Sequence, residues 1–288
     1  MVWTLAAFSL PCSAGPLAIH ARWQVAFPSA AAHGKAVEST AVPTDGGSLM
    51  VTVVPPGADA AHPKLFLGGR EVAIEVVGTD PVSRLGFFKV TGSPAPKPEQ
   101  WVDKVNARMG TVFQAVGPGG IDKCRSAGWV KQVDEKVLPL ALLRVNFVRA
   151  VPPPGTPLLD ASGRVSALVF QSARPGNTGY AIPAEAVQRV RRDVCNGGKL
   201  IHGWLGITLN TQNRKPQIVS VLAGSPASTA GIKPADMLVS VGTRTTSDYE
   251  DAVNAFFYLI PGEPVRVKLL RGTTPLEFTL TPVKPRAK

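Results

Sequence analysis

Three consecutive prolines, Pro152, Pro153 and Pro154, remove three successive backbone donors and fix three φ angles near about −65°. No helix and no interior strand can run through them, and taken alone they make a rigid polyproline linker between strands. With Gly 28 and Pro 27 in 288 residues, the chain favours short strands and many turns over long helices. That length suggests two domains, each with apolar residues enough for a core.

From Gly46 to Val90, β-branched runs alternate with turns: Ser48 to Val54, Lys64 to Leu67, Glu71 to Val77 and Leu85 to Val90, with Gly68-Gly69 shaped as a hairpin turn. This predicts a small barrel. The proline-rich segment Gly92 to Pro98 separates it from a second β-rich half, Trp101 to Phe170. A helix is expected from Pro183 to about Cys195, because Val187, Val190 and Val194 recur on one face and Gly197-Gly198 ends it. Beyond it, Gly203 to Val283 reads as strand, strand, short helix, strand, long helix and a closing hairpin around Gly272.

The formal net charge is +11, which attracts nucleic acid, anionic lipid or acidic polymers in a non-specific way. No nucleic-acid module accompanies it. Met1 to Ile19 is apolar and free of Lys and Arg, and Cys12-Ser13-Ala14 offers a small-residue cleavage site, so residues 1–25 are expected to be an export leader. Pro11, Gly15 and Pro16 interrupt the stretch, and a permanent membrane anchor is not expected. Removal of Cys12 with the leader leaves Cys124 and Cys195, a candidate disulfide in an exported protein, with two free thiols as the alternative. No Cys-x-x-Cys, His-Glu-x-x-His or acidic calcium loop is present, so no metal or other cofactor is argued.

The run Pro157-Leu158-Leu159-Asp160-Ala161-Ser162-Gly163-Arg164-Val165 resembles the strand after the nucleophile in HtrA-type, trypsin-like serine proteases, whose pattern is Gly-Asn-Ser-Gly-Gly-Pro-Leu-Leu-Asp-x-x-Gly-x-Val. The resemblance puts Pro154 in the place of the nucleophile and Pro152 in that of an oxyanion-donating glycine. Gly69 to Val90 is similar to the family's Gly-Arg-x-x-x-Ala-x-Val-Val-Gly-x-Asp-Pro-x-x-Asp-Leu-Ala-x-Leu-Lys-Val, with Arg84 where the family has the acid that orients the histidine. Met50-Val51-Thr52-Val53-Val54 then puts Thr52 in the place of the base, and His62 falls beyond Pro55-Pro56-Gly57 in a loop. Gly179-Tyr180-Ala181-Ile182-Pro183 resembles the Gly-Phe-Ala-Ile-Pro that precedes the last helix of the family's protease domain. A triad works as a unit and its oxyanion hole needs N–H groups that proline lacks. The resemblance therefore implies a trypsin-like domain over 40–200 whose catalytic centre is degenerate.

Gly203 to Val283 resembles the PDZ domain of the same family. Val221 to Asp236 follows its Val-x-x-Gly-Ser-Pro-Ala-x-x-Ala-Gly-Leu-x-x-Gly-Asp pattern, with Ala235 for the last glycine. The fold expected is mainly β, a trypsin-like double β-barrel followed by an α+β PDZ domain over 203–284. The resemblance implies capture of a peptide C-terminus by Trp204, Leu205, Gly206, Ile207 and Leu209, with Val253 and Phe256 on a facing helix that Ser247-Asp248-Tyr249-Glu250 starts. At helical spacing such a stripe also serves as core.

The leading expectation is a non-catalytic adaptor or regulator of C-termini or unfolded segments, in the periplasm or cell envelope. Three alternatives stay open: a serine endopeptidase using other residues, a subunit in an oligomer with active protease relatives, and an anionic-polymer binder driven by charge.

Overall fold

The computed structural model describes residues 23–29, 36–44, 47–92, 96–117, 120–133, 136–173, 176–211 and 215–285. The expected leader through residue 22, with Cys12, lies outside the described residues.

Seven strands form the first sheet: β1 (Trp23–Phe27), β2 (Val37–Pro43), β3 (Leu49–Val53), β4 (Lys64–Leu67), β5 (Arg70–Val72), β6 (Ile74–Thr79) and β7 (Leu85–Val90), in the order β5-β4-β1-β2-β3-β7-β6. Its two ends, β5 and β6, are consecutive in the chain, so the sheet curls round on itself about a core that includes Trp23, Met50, Leu65 and Phe88. Gly68 and Gly69, both at positive φ, turn the β4–β5 hairpin as their sequence predicts. The single strand expected from Glu71 to Val77 is broken at Ala73, whose carbonyl accepts the N–H groups of Thr91 and Gly92.

The sheet also starts earlier than the sequence suggests. Trp23 and Val25, read as the end of a leader, are buried in β1, which pairs with β2 and β4. A boundary at residue 40 would cut through β2. The alternation Trp-Gln-Val-Ala-Phe has its apolar residues inward, the pattern of a half-buried strand rather than of an apolar leader.

The second sheet is a closed barrel of β8 (Val112–Gly117), β9 (Gly120–Val133), β10 (Lys136–Phe147), β11 (Pro157–Leu159), β12 (Val165–Ser172) and β13 (Thr178–Pro183). Trp101, expected at its start, makes only an isolated bridge to Val165, and its indole N–H donates to the Pro43 carbonyl in β2. Helix α1 (Ala184–Gly197) begins after Pro183 and ends at Gly198 in the left-handed region. Its Val187, Val190 and Val194 fill the space between the barrels, against Val53 and Phe87 on one side and Leu142 and Ile182 on the other. Cys124 and Cys195 are both free: Cys124 faces the barrel interior beside Phe113, while Cys195 is exposed on α1. The candidate disulfide is not formed, because its two ends point into different surroundings.

The third unit contains β14 (Ile207–Leu209), β15 (Ile218–Val221), α2 (Pro226–Thr229), β16 (Met237–Val241), β17 (Arg244–Thr245), α3 (Tyr249–Phe257), β18 (Val265–Arg271) and β19 (Thr274–Leu280). A two-stranded β14–β15 sheet and a four-stranded β17-β16-β18-β19 sheet enclose a core with Ala252 and Ala255 of α3. The cap of α3 is Asp248, one residue later than a Ser247 start; its carboxylate accepts the Asp251 N–H at 2.6 Å.

In the segment that joins β7 to β8, Glu99 lies buried, and burial pushes its carboxyl up to about 7. The unfolded chain ionises this group near the usual carboxylate range while the folded chain does not, so its contribution lowers stability as pH rises from about 4.5 to about 7. Glu99→Gln is expected to flatten that slope, adding about 1–2 kcal/mol at pH 8 after solvent access is discounted and nothing near pH 4. Paired urea melts at the two pH values check it.

Candidate functional site

Thr52, Arg84 and Pro154 converge where the barrels meet. Thr52, on β3, is fully buried; its hydroxyl donates to the Thr40 carbonyl at 2.8 Å and lies 2.9 Å from Ser39 Oγ. Ser39 Oγ has the Pro154 carbonyl at 2.7 Å and the Val53 carbonyl at 2.8 Å, sharing one proton between them. The Thr40 N–H also donates to the Pro154 carbonyl, at 2.8 Å. Thr156 Oγ1 donates to the Pro153 carbonyl at 2.7 Å and lies 3.2 Å from Thr40 Oγ1. Four hydroxyls thus bind the proline turn to β2 and β3, and each is committed to a carbonyl or to another hydroxyl.

The turn offers nothing to an oxyanion. Residues 152 to 154 have no N–H. The next two are used internally, Gly155 N–H by the Val169 carbonyl at 2.7 Å and Thr156 N–H by the Pro153 carbonyl at 3.2 Å. Pro152 and Pro153 border a cavity of about 190 Å³ with Gly117, Asp122 and Val151.

Arg84 has a φ of 56°, its carbonyl accepts the Val54 N–H at 2.7 Å, and its guanidinium reaches across to β12. There it lies 3.8 Å from the centre of the Phe170 ring and donates to Gln171 Oε1 at 2.9 Å. Burial lowers its pKa to about 10, which leaves it charged at neutral pH. Where a triad needs an anion, the site holds a cation that ties the barrels together. His62 is exposed and paired with Asp59 at 2.7 Å. Among the described residues, no histidine hydrogen-bonds a serine, threonine or cysteine, and no three His, Cys, Asp or Glu side chains gather as metal ligands.

The second constellation is the loop before β14. Gly203 N–H donates to the Leu259 carbonyl, and Trp204 exchanges both backbone bonds with Val283. The carbonyls of Leu205 and Gly206 accept Ala227 N–H at 3.0 Å and Leu222 N–H at 2.9 Å. The N–H groups of Leu205 and Gly206 have no partner among the described residues. Because Gly206 bonds Leu222, antiparallel alternation turns the N–H and C=O of Ile207 away from β15, to the edge of β14 that no strand of the described residues covers.

Tyr249, Val253 and Phe256 follow one another at helical spacing on α3, all half-buried, with Tyr249 and Phe256 packed partly on the core of this unit. The side chains of Leu205 and Leu209 are core, which leaves these two only their backbone for a ligand. The other face of α3 docks on the second barrel: Lys131 of β9 pairs with Asp248 at 3.0 Å and Asp251 at 2.6 Å, and Phe257 joins the core between the barrels.

The PDZ-domain family matches residues 203–281. The periplasmic pH-dependent serine endoprotease DegQ of Escherichia coli is 25% identical over 235 residues, covering 74% of this chain and 51% of DegQ. The serine protease Do-like HtrA of Bacillus subtilis is 24% identical over 250 residues, covering 75% of this chain and 56% of that protein. The chain is a homologue of the HtrA/DegP serine proteases and carries a PDZ domain. It spans about half the length of the curated relatives it matches. The HtrA-type protease AlgW with tripeptide superposes with a TM-score of 0.67 at 19% identity, over 94% of this chain and 95% of that one. The serine endoprotease from Yersinia pestis gives 0.57 at 20% identity, over 93% and 95%. The trypsin-like double barrel followed by a PDZ domain is therefore the fold of this HtrA homologue.

Ser39 and Thr40, which hold the proline turn, escape a sequence reading that starts at Gly46. A signal was present in their adjacent hydroxyls, directly ahead of the apolar Ala41 and Val42.

Proposed function

We propose that this HtrA homologue is a non-catalytic adaptor or regulator of the cell envelope that captures peptide C-termini, or unfolded segments, through its PDZ domain. The observation that carries it is that, among the described residues, the N–H groups of Leu205 and Gly206 have no partner and stand at the head of a β14 edge that no strand covers, in the same unit as the half-buried Tyr249, Val253 and Phe256. A carboxylate takes the two N–H groups while the preceding residues add as a strand along Ile207. The non-catalytic half of the reading rests on Thr52, Arg84 and Pro154 at the triad positions, with every N–H of the proline turn already used. The relatives named as periplasmic support an envelope location. Among the described residues no helix is long and apolar enough to cross a membrane.

The test is binding to a library of short peptides, each with a free and an amidated C-terminus. Free acids are expected to bind about 10- to 100-fold more tightly, the worth of charge-assisted hydrogen bonds to the carboxylate. Equal affinities for the two forms would remove the carboxylate reading.

A further inference from the structure

Among the described residues, the outer face of β8 and β9 bears Lys123 and Arg125 with no carboxylate on the same side. Along β9 the exposed Ile121, Lys123 and Arg125 alternate with Asp122 and the buried Cys124. Opposed residues of an antiparallel pair share a face, so Val112 and Gln114 of β8 stand beside Arg125 and Lys123, and Asn146 of β10 stands beside Arg125 on the other side. Val148 follows Asn146 by two residues, and its N–H donates to the Lys123 carbonyl at 3.3 Å. Asp122 turns the other way and accepts the Arg149 N–H at 3.1 Å. Among the described residues Lys123 and Arg125 make no ion pair. Apolar side chains stand between them in the open: Val148 is 74% exposed, Ile121 46% and Val112 43%.

We propose that this face, Val112, Ile121, Lys123, Arg125 and Val148, docks the protein peripherally on an anionic lipid surface. Unpaired cations set among exposed aliphatic side chains match the two attractions of a bilayer interface, anionic headgroups for the charges and the acyl boundary for the apolar groups. The chain's net charge of +11 adds long-range attraction of the same sign. A second copy of the chain fits poorly, because a two-fold contact would set Lys123 and Arg125 against themselves. A nucleic-acid strand finds no aromatic platform among these five residues.

Co-sedimentation of the full chain with phosphatidylcholine vesicles, with and without phosphatidylglycerol, tests it. Binding is expected only to the vesicles with phosphatidylglycerol. At about fivefold per surface cation, the Lys123→Glu, Arg125→Glu variant should weaken it by at least tenfold. The Ile121→Ser, Val148→Ser variant, of unchanged charge, should weaken it several-fold yet leave retention of a single-stranded oligonucleotide as it was. All four side chains are exposed, so both variants should melt with the unmodified chain. No sedimentation, sedimentation indifferent to charge reversal, or a serine variant that binds vesicles like the unmodified chain would each overturn the proposal. The last of these, with oligonucleotide held as tightly as vesicles, would make the face a general polyanion surface.

Discussion

Alanine in place of Gly155 should lower the melting temperature by about 10 °C or more. Gly155 sits at φ 78°, and a Cβ there would stand 2.0 Å from the Thr40 carbonyl oxygen and 3.1 Å from Ser39 Oγ. The oxygen cannot step aside cheaply: it accepts the Thr52 hydroxyl at 2.8 Å, and the N–H of the same residue holds the Pro154 carbonyl. Left-handed backbone costs about 1–2 kcal/mol for an L side chain. Overpacking costs about 1–3 kcal/mol, and loosening the buried hydroxyls adds their unmade bonds. A total near 4 kcal/mol is a large part of the roughly 5–15 kcal/mol that holds a domain together. A thermal melt of the variant decides it; an unchanged melt would mean that β2 and the proline turn are not locked as described.

Gly206→Ala should cost peptide binding rather than the fold. Its φ is 81°, and a Cβ would fall 2.1 Å from Ser225 Cβ and 2.4 Å from Ser225 Oγ. Ser225 is itself fixed, capping α2 through the Ser228 N–H at 3.2 Å. The loop must therefore move, and with it the N–H groups of Leu205 and Gly206. Losing two charge-assisted hydrogen bonds predicts at least a 100-fold fall in affinity for a free-acid peptide. Among the described residues the hydrogen bonds of Gly206 and Ser225 stay within this unit, so the barrels' part of the melt should stay. Titration of a labelled peptide against both proteins measures it.

The sequence was most legible where function is local. The Gly68-Gly69 hairpin, the stripe of Val187, Val190 and Val194, and, apart from the two-residue β17 that the reading missed, the order of elements in the PDZ unit each follow from residues within one element or one turn. The proline turn was legible as a loss of donors, because proline's missing N–H is a covalent fact. What replaced the lost chemistry was not. Ser39 lies 115 positions from Pro154, and Arg84 lies 87 from Gln171, so their contacts exist only once the barrels have closed on each other. The strand at Trp23 was hidden by its neighbours, since an apolar stretch before it made a leader the simpler reading. The two cysteines were compatible in number alone, and burial of one against exposure of the other kept them apart.

Everything proposed for the PDZ unit turns on capture of a C-terminus without cleavage. The most direct measurement is to saturate the full chain with its best free-acid peptide and follow bound and total peptide by mass spectrometry through a prolonged incubation. The peptide is expected to be recovered intact from the complex, with no acyl-enzyme mass on the protein. Shortened peptide that accumulates in proportion to the protein, and ceases when Ser39 or another hydroxyl of the junction is replaced, would contradict it.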